Sequence, residues 1–130
     1  MGDKVQIYSD KAPQAVGPYS QAVSIGGWLY ISGQVPLDPA TGRLIEAEDI
    51  RTHTCRVLDN LSAVLAAAGV GLEQLVKTTI FLVDLGDFAA VNEVYGEYLN
   101  SGVRPARSTI QVAALPLGAR IEIEAVAYIG

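Results

Sequence analysis

The chain has 130 residues, half of them hydrophobic and 18% charged, with 9 basic against 14 acidic side chains for a formal charge of −5. That length fits one domain spanning 1–130 with enough chain to bury a core, and the composition excludes global disorder. The acidic balance and the lack of any Lys/Arg run disfavour a general nucleic-acid surface, because phosphate contacts need clustered cations.

Cys55 is the single cysteine and His53 the single histidine. An internal disulfide is therefore impossible, and a structural Cys/His zinc site, which draws four ligands, is excluded. Both read as ordinary helix residues. The N-terminus carries no basic-then-apolar signal pattern, and no apolar run approaches the ~20 residues that span a bilayer. The expected setting is cytoplasmic and reducing, with no membrane partner.

In chain order, Ala22–Ile25 and residues 29–34 flank Gly26-Gly27, which predicts a hairpin. The turn-rich stretch from Pro36 to Gly42 reads as a loop between strands. Residues 50–68 carry Ile50, Thr54, Val57, Leu58, Leu61, Val64, Leu65 and Ala68 at helical spacing. Glu48 and Asp49 suit the N-terminus of that helix, and Gly69 suits its end. Residues 76–83 are rich in Thr, Val, Ile and Phe and predict a strand. A second helix is expected over 88–99, with Asp87 as its cap and Phe88, Val91, Tyr95, Tyr98 and Leu99 on its apolar side. Residues 106–112 and 121–129 predict further strands, joined by a loop containing Leu115-Pro116-Leu117-Gly118. Two amphipathic helices can cover only one face of such a sheet. The predicted fold is a two-layer α+β domain with a mixed sheet.

Strand alternation separates Ser108, Ile110 and Val112 from Arg107, Thr109 and Gln111. It likewise separates Ile121, Ile123, Ala125 and Ala127 from Glu122, Glu124, Val126 and Tyr128. We expect Arg107 and Glu122 to share the face that the helices leave uncovered. Val126 and Tyr128 make that face more apolar than solvent requires, as at a subunit contact. The expected association is a homo-oligomer with the charged residues bordering a cleft.

Arg107 is the leading candidate for chemistry, since arginine grips carboxylates with paired, charge-assisted hydrogen bonds. The same residue also suits an interface ion pair with Glu122 or Glu124. Those two glutamates lie close on one face, so one needs a cation or a raised pKa. A glutamate there can hold and polarise a water. Tyr19, in Gly17-Pro18-Tyr19-Ser20-Gln21, either packs on the sheet or lines a site. Ser32-Gly33-Gln34 interrupts an apolar strand, which fits a bulge or a close approach by a ligand or another backbone. Asn92 is offset from the apolar stripe of its helix and fits a buried amide network or a ligand contact. No dinucleotide or phosphate-binding glycine loop is present, and His53 has no evident partner for a Ser–His–Asp relay.

Six motifs occur in order: Gly17-Pro18-Tyr19-Ser20-Gln21-Ala22, Ile31-Ser32-Gly33-Gln34, Val76-Lys77-Thr78-Thr79, Val91-Asn92-Glu93-Val94-Tyr95, Pro105-Ala106-Arg107 and Ile121-Glu122-Ile123-Glu124-Ala125. As a set, spanning about residues 11–128, they closely resemble the reactive intermediate/imine deaminase A family, also called RidA or YjgF. The resemblance implies a chorismate-mutase-like α+β fold assembled as a homotrimer with clefts between subunits. It implies hydrolysis of 2-imino acids, such as 2-iminobutanoate and 2-iminopropanoate, to 2-keto acids and ammonia, protecting pyridoxal-phosphate enzymes from damage. No metal or organic cofactor is implied.

By motif, Arg107 would grip the substrate carboxylate and Glu122 would orient the attacking water. Tyr19, Ser32, Gly33 and Asn92 would line the cleft. Thr109 stands where many relatives carry a cysteine; threonine serves equally well if that position acts through its backbone N–H. If Arg107 and Glu122 are close, the arginine should keep the glutamate ionised. Two other readings remain: a non-catalytic trimer that binds small metabolites or proteins, and the RNA cleavage or translation inhibition ascribed to some relatives, which the acidic charge opposes.

Overall fold

The computed structural model describes residues 2–130. Six strands form one sheet: β1 (Val5–Ile7), β2 (Ala22–Ile25), β3 (Trp28–Gln34), β4 (Leu75–Leu82), β5 (Ala106–Gln111) and β6 (Ile121–Tyr128). Their spatial order is β1-β2-β3-β6-β4-β5. Only β4 and β5 run parallel, and the helix α2 (Phe88–Tyr98) makes the crossover between them. The remaining pairs are antiparallel. With α1 (Ile50–Ala67), α2 covers one face, so the two-layer α+β arrangement predicted from sequence is observed.

The ends of α1 follow its sequence. Asp49 accepts a hydrogen bond from the backbone N–H of Arg51 at 2.9 Å, capping the first turn. At the other end Gly69 takes φ +80°, and Val70 N–H reaches back to the Leu65 carbonyl at 3.1 Å. Only a residue tolerant of the left-handed region closes a helix this way. The stripe Ile50, Thr54, Val57, Leu58, Leu61, Val64 and Leu65 is buried as its spacing requires. No helix among the described residues is long and apolar enough to cross a membrane.

Gly26 and Gly27 make the β2–β3 turn with φ of +57° and +85°, the pair of positive values that suits the twist of a two-residue hairpin. Strand β1, which the sequence pattern did not predict, is three residues held at the sheet edge by pairing with β2. Asp87 precedes α2 but makes no side-chain cap bond; its carboxylate instead meets Arg120 at 3.3 Å. Opposite charge offered a better partner than the helix end.

The core lies between helices and sheet, where Leu29, Ile31, Ile80, Leu82, Ile121 and Ile123 meet the α1 stripe. The other sheet face is bare. Tyr30 is 51% exposed, Tyr128 48% and Ile110 45%, while Trp28 meets Tyr128 edge to face with ring centroids 4.9 Å apart.

Candidate active site

The register of β5 decides which way Arg107 points. Thr78 of β4 pairs with Arg107 on one side and Ala125 on the other. Paired residues in a sheet project from the same face, and Thr78 and Ala125 are buried beneath the helices. Arg107 therefore leaves the sheet on the helix side, against α2. Its guanidinium carbon lies 4.9 Å from the Tyr95 ring centroid and 5.5 Å from that of Phe88. Nη1 donates to Asn92 Oδ1 at 2.8 Å. Two aromatic faces and one amide thus fix the plane of the guanidinium and leave its other N–H groups without a protein acceptor among the described residues.

Tyr95 is itself anchored, its hydroxyl 2.6 Å from Thr78 Oγ1. Burial pushes the phenol pKa up, against the hydrogen bond from Thr78 and the charge of Arg107, which pull it down. Arg107 and Asn92 border a cavity of about 520 Å³ with Tyr95, Gly96, Arg104 and Pro105. Thr109 projects to the same side as Arg107, two residues along β5, and pairs with Ile80. Its Oγ1 is buried and lacks a hydrogen-bond partner among the described residues.

Glu122 projects the other way. It alternates with the buried Ile121 and Ile123 and stands on the uncovered face beside Phe81. The carboxylate lies over Gly33, where a Cβ built on that glycine would overlap it. The register of β3 against β6 slips between Ile31 and Gln34. The interruption at Ser32-Gly33-Gln34 is thus an irregularity of the ladder, as the bulge reading expected, and what comes close to Gly33 is the Glu122 side chain rather than a ligand or another backbone. The Ser32 hydroxyl donates to the Ser20 carbonyl at 2.6 Å, and Ser32 N–H donates to the Gln21 carbonyl at 2.9 Å. Those bonds hold the turn bearing Tyr19. The Tyr19 phenol is half exposed, and its oxygen accepts from Val16 N–H at 3.4 Å.

Behind that turn, the buried Gln21 amide accepts from Ser9 N–H at 2.7 Å and donates to the Ser9 and Pro13 carbonyls at 3.0 and 2.8 Å. On the opposite wall Asn60 of α1 donates to the Val35 and Leu37 carbonyls at 3.3 and 2.9 Å. Tyr19, Ser32, Gly33 and Glu122 share a cavity of about 560 Å³ whose remaining walls include Val16, Val35, Leu37 and Leu117. Leu117 holds φ +61°, the one positive value outside glycine among the described residues. Burial raises the Glu122 pKa, and the charge of Glu124 raises it further.

The expectation that Arg107 and Glu122 share the uncovered face is therefore corrected: within one protomer they occupy opposite faces. The phase of alternation along each strand was right. The error lay in which side of β5 turns inward, since Ile110 and Val112 argued for one face while α2 draws Arg107 to the other. Arg107 does not hold Glu122 ionised within the protomer, nor does it pair with Glu124. The seven residues singled out from sequence fall into two groups. Arg107, Asn92 and Thr109 lie on the helix side, and Glu122, Gly33, Ser32 and Tyr19 on the uncovered side. Asn92 is exposed rather than part of a buried amide network. Sequence reading missed Phe88 and Tyr95 as the seat of the guanidinium, having assigned both to the core, and missed Asn60 and Gln21 as supports of the cleft walls. Buried amides inside apolar stretches were the available signal.

Known proteins carry the same architecture. The sequence model of the family described as Endoribonuclease L-PSP matches residues 9–129. The chain belongs to that family, the YjgF/RidA or Rid family. Its relative Protein DfrA of Myxococcus xanthus is 54% identical over 123 residues, 93% of this chain and 92% of that protein. A 2-iminobutanoate/2-iminopropanoate deaminase of Homo sapiens is 48% identical over 124 residues, 95% of this chain and 89% of that protein. The crystal structure of YyfA of Yersinia pestis, described as a conserved Rid family protein of unknown function, superposes with a TM-score of 0.95 at 46% identity, covering 98% of this chain and 100% of YyfA. This Rid protein thus has relatives at similar identity whose names state an imine deaminase reaction and others whose names state none.

Proposed function

We propose that this Rid protein hydrolyses small 2-imino acids to 2-keto acids and ammonia at a cleft built by two protomers. The observation that carries the reading is the split between two half-sites. One offers a fixed guanidinium with free donors, suited to a carboxylate. The other offers a carboxyl group of raised pKa lodged over a glycine. Each lacks what the other has, and the bare apolar sheet face provides a surface on which copies can associate. The assembly we propose is a homotrimer whose three clefts each take Arg107, Asn92 and Thr109 from one protomer and Glu122, Gly33, Ser32 and Tyr19 from its neighbour.

The chemistry asks little of the protein. The iminium carbon is already electrophilic, so orienting substrate and water supplies most of the acceleration. Arg107 grips the substrate carboxylate. The neighbour's Glu122 takes a proton from the attacking water as its oxygen bonds to the imine carbon, giving a carbinolamine. Glu122 returns that proton to the amine nitrogen. The C–N bond then breaks, its electron pair leaving with ammonia, while the now ionised Glu122 takes the hydroxyl proton and that oxygen becomes the ketone. A carboxyl with raised pKa is a stronger base than an ordinary one, which suits it to both transfers. The name of the human relative supports this substrate class.

Ribonuclease action, which the family description names, has less support. The net charge is −5. The single histidine is buried in α1, with Nε2 2.7 Å from the Ala47 carbonyl. Neither a basic track nor an accessible imidazole is on offer. The test of the proposal is ammonia release from freshly generated 2-iminobutanoate. Acceleration over the spontaneous rate is expected, and equal rates with and without protein would reject it.

A further inference from the structure

The cavity that holds Arg107 contains a second arginine that the imine reading does not use. Arg104 lies three residues before Arg107, at the entrance to β5, and borders the same 520 Å³ space. Its Nε donates to the Leu99 carbonyl at the end of α2, at 2.7 Å. That bond caps the helix and steadies the guanidinium, but it occupies one of five donors. The terminal nitrogens have no acceptor among the described residues, and no carboxylate borders the cavity. Glu73 borders the neighbouring cavities on Arg104's other side without forming an ion pair with it.

Arg104 and Arg107 both border one space, and neither forms an ion pair among the described residues. Elsewhere Arg51 pairs with Glu93 and Arg120 with Asp87. Two cations bordering one cavity both gain from a ligand that carries two negative charges.

We propose that Arg104 is a specificity-determining residue that binds a second carboxylate, so that the preferred substrates are 2-imino derivatives of acidic amino acids rather than neutral ones. The inference rests on the imine-hydrolysis reading for its reaction, though not for its binding. One substrate carboxylate lies on Arg107 and the other on Arg104, along the cavity between them. The reacting carbon is presented to the Glu122 half-site of the adjoining protomer. The apolar residues around Glu122 then serve to desolvate its carboxyl and to meet the adjoining subunit.

The experiment has a catalytic and a binding arm on the intact protein. In the first, kcat/KM is measured for 2-iminoglutarate, generated in place from glutamate by an oxidase, and for 2-iminobutanoate. The wild-type ratio should favour the dicarboxylate by roughly tenfold or more, as a charge-assisted contact supplies. Arg104→Gln should lower that ratio by roughly the same factor, chiefly through KM, and Arg104→Lys should recover part of it. In the second arm, calorimetry compares 2-oxoglutarate with 2-oxobutanoate, which are stable and need no turnover. The dicarboxylate should bind more tightly to wild type and lose that advantage in Arg104→Gln. Equal handling of the two ligands, or a ratio that ignores Arg104, overturns the proposal. If neither imine is accelerated, the imine reading falls, and calorimetry alone decides the role of Arg104.

Discussion

Arg107 and Glu122 stand on opposite faces of one sheet, the arginine stacked on Tyr95 and Phe88 of α2 and the glutamate over Gly33 on the uncovered side. In the proposed cleft a single small molecule meets both where two protomers adjoin. Inactivating each residue in a separate chain therefore has a distinctive consequence. Arg107→Ala and Glu122→Gln proteins should each lose activity by roughly a hundredfold or more. Co-assembled in equal amounts, they should regain about a quarter of the wild-type rate, the share of interfaces that receive one intact half-site from each chain. Mixed assemblies no more active than either parent would mean that both residues serve one chain's site.

The uncovered face supplies the second prediction. Val126 lies at its centre, paired with Tyr30 and Lys77 across the neighbouring strands. Val126→Glu would place a charge in the proposed subunit contact, at a cost that unpaired buried carboxylates rarely sustain. Light scattering should then report a particle near the 13.7 kDa of one protomer, with the activity gone. A variant that keeps both the wild-type mass and turnover would move the association surface elsewhere.

Gly33 tests the seat of the carboxyl proposed as the catalytic base. Its φ is ordinary, so alanine is tolerated by the backbone, but the new methyl group occupies the place of the Glu122 carboxylate. The glutamate side chain is flexible and can swing aside. Gly33→Ala should leave the melting temperature within a few degrees and reduce kcat by roughly a hundredfold, as misplacement of about 1 Å does. Wild-type kcat in a folded variant would remove the importance of this position.

The pH dependence follows from what raises the Glu122 pKa: burial first, then the charge of Glu124. Acting as a base, Glu122 must be ionised, so kcat/KM should fall as pH drops through its pKa, which burial and Glu124 raise and which Arg107 of the adjoining protomer lowers in the proposed cleft. Glu124→Gln removes one of the two causes, and the acid limb should move to lower pH. The stability trend has the opposite sense. A carboxyl that binds its proton more tightly when folded stabilises most below its unfolded pKa, and that contribution is lost as pH rises through the folded value. Glu122→Gln should abolish that loss. An acid limb that stays in place in Glu124→Gln would show that the two carboxylates do not interact.

Thr109 carries a buried hydroxyl with no partner among the described residues. Leaving such a group unsatisfied costs about 1–3 kcal/mol, whereas a methyl group of the same shape costs nothing in lost hydrogen bonds. Thr109→Val should raise the unfolding free energy by about 1 kcal/mol in urea titration. No gain would show that the hydroxyl is satisfied in the assembled protein.

Much of the fold was legible because local and global preferences agree. The α1 stripe permits only one packing, and Gly26-Gly27 admits only a tight hairpin. Other features needed spatial neighbours. Strand β1 is too short to carry a pattern and exists by pairing with β2. Asp87 looked like a helix cap, yet Arg120, more than thirty residues away, takes its carboxylate. Gly33 stood out as an interruption, and only Glu122 lying across it gave the reason.

By itself, the order of residues determined the family motifs, the helices, the strand phases and the identity of Arg107 and Glu122 as the pair to watch. It did so because periodicity and motif spacing are properties of the chain read along its length. The side of the sheet on which each member of the pair stands was decided by tertiary structure alone. On an edge strand such as β5, alternation yields two faces but no sign. The sign came from Tyr95 and Phe88, which offer the guanidinium an aromatic seat on the helix side that the other face of the strand lacks.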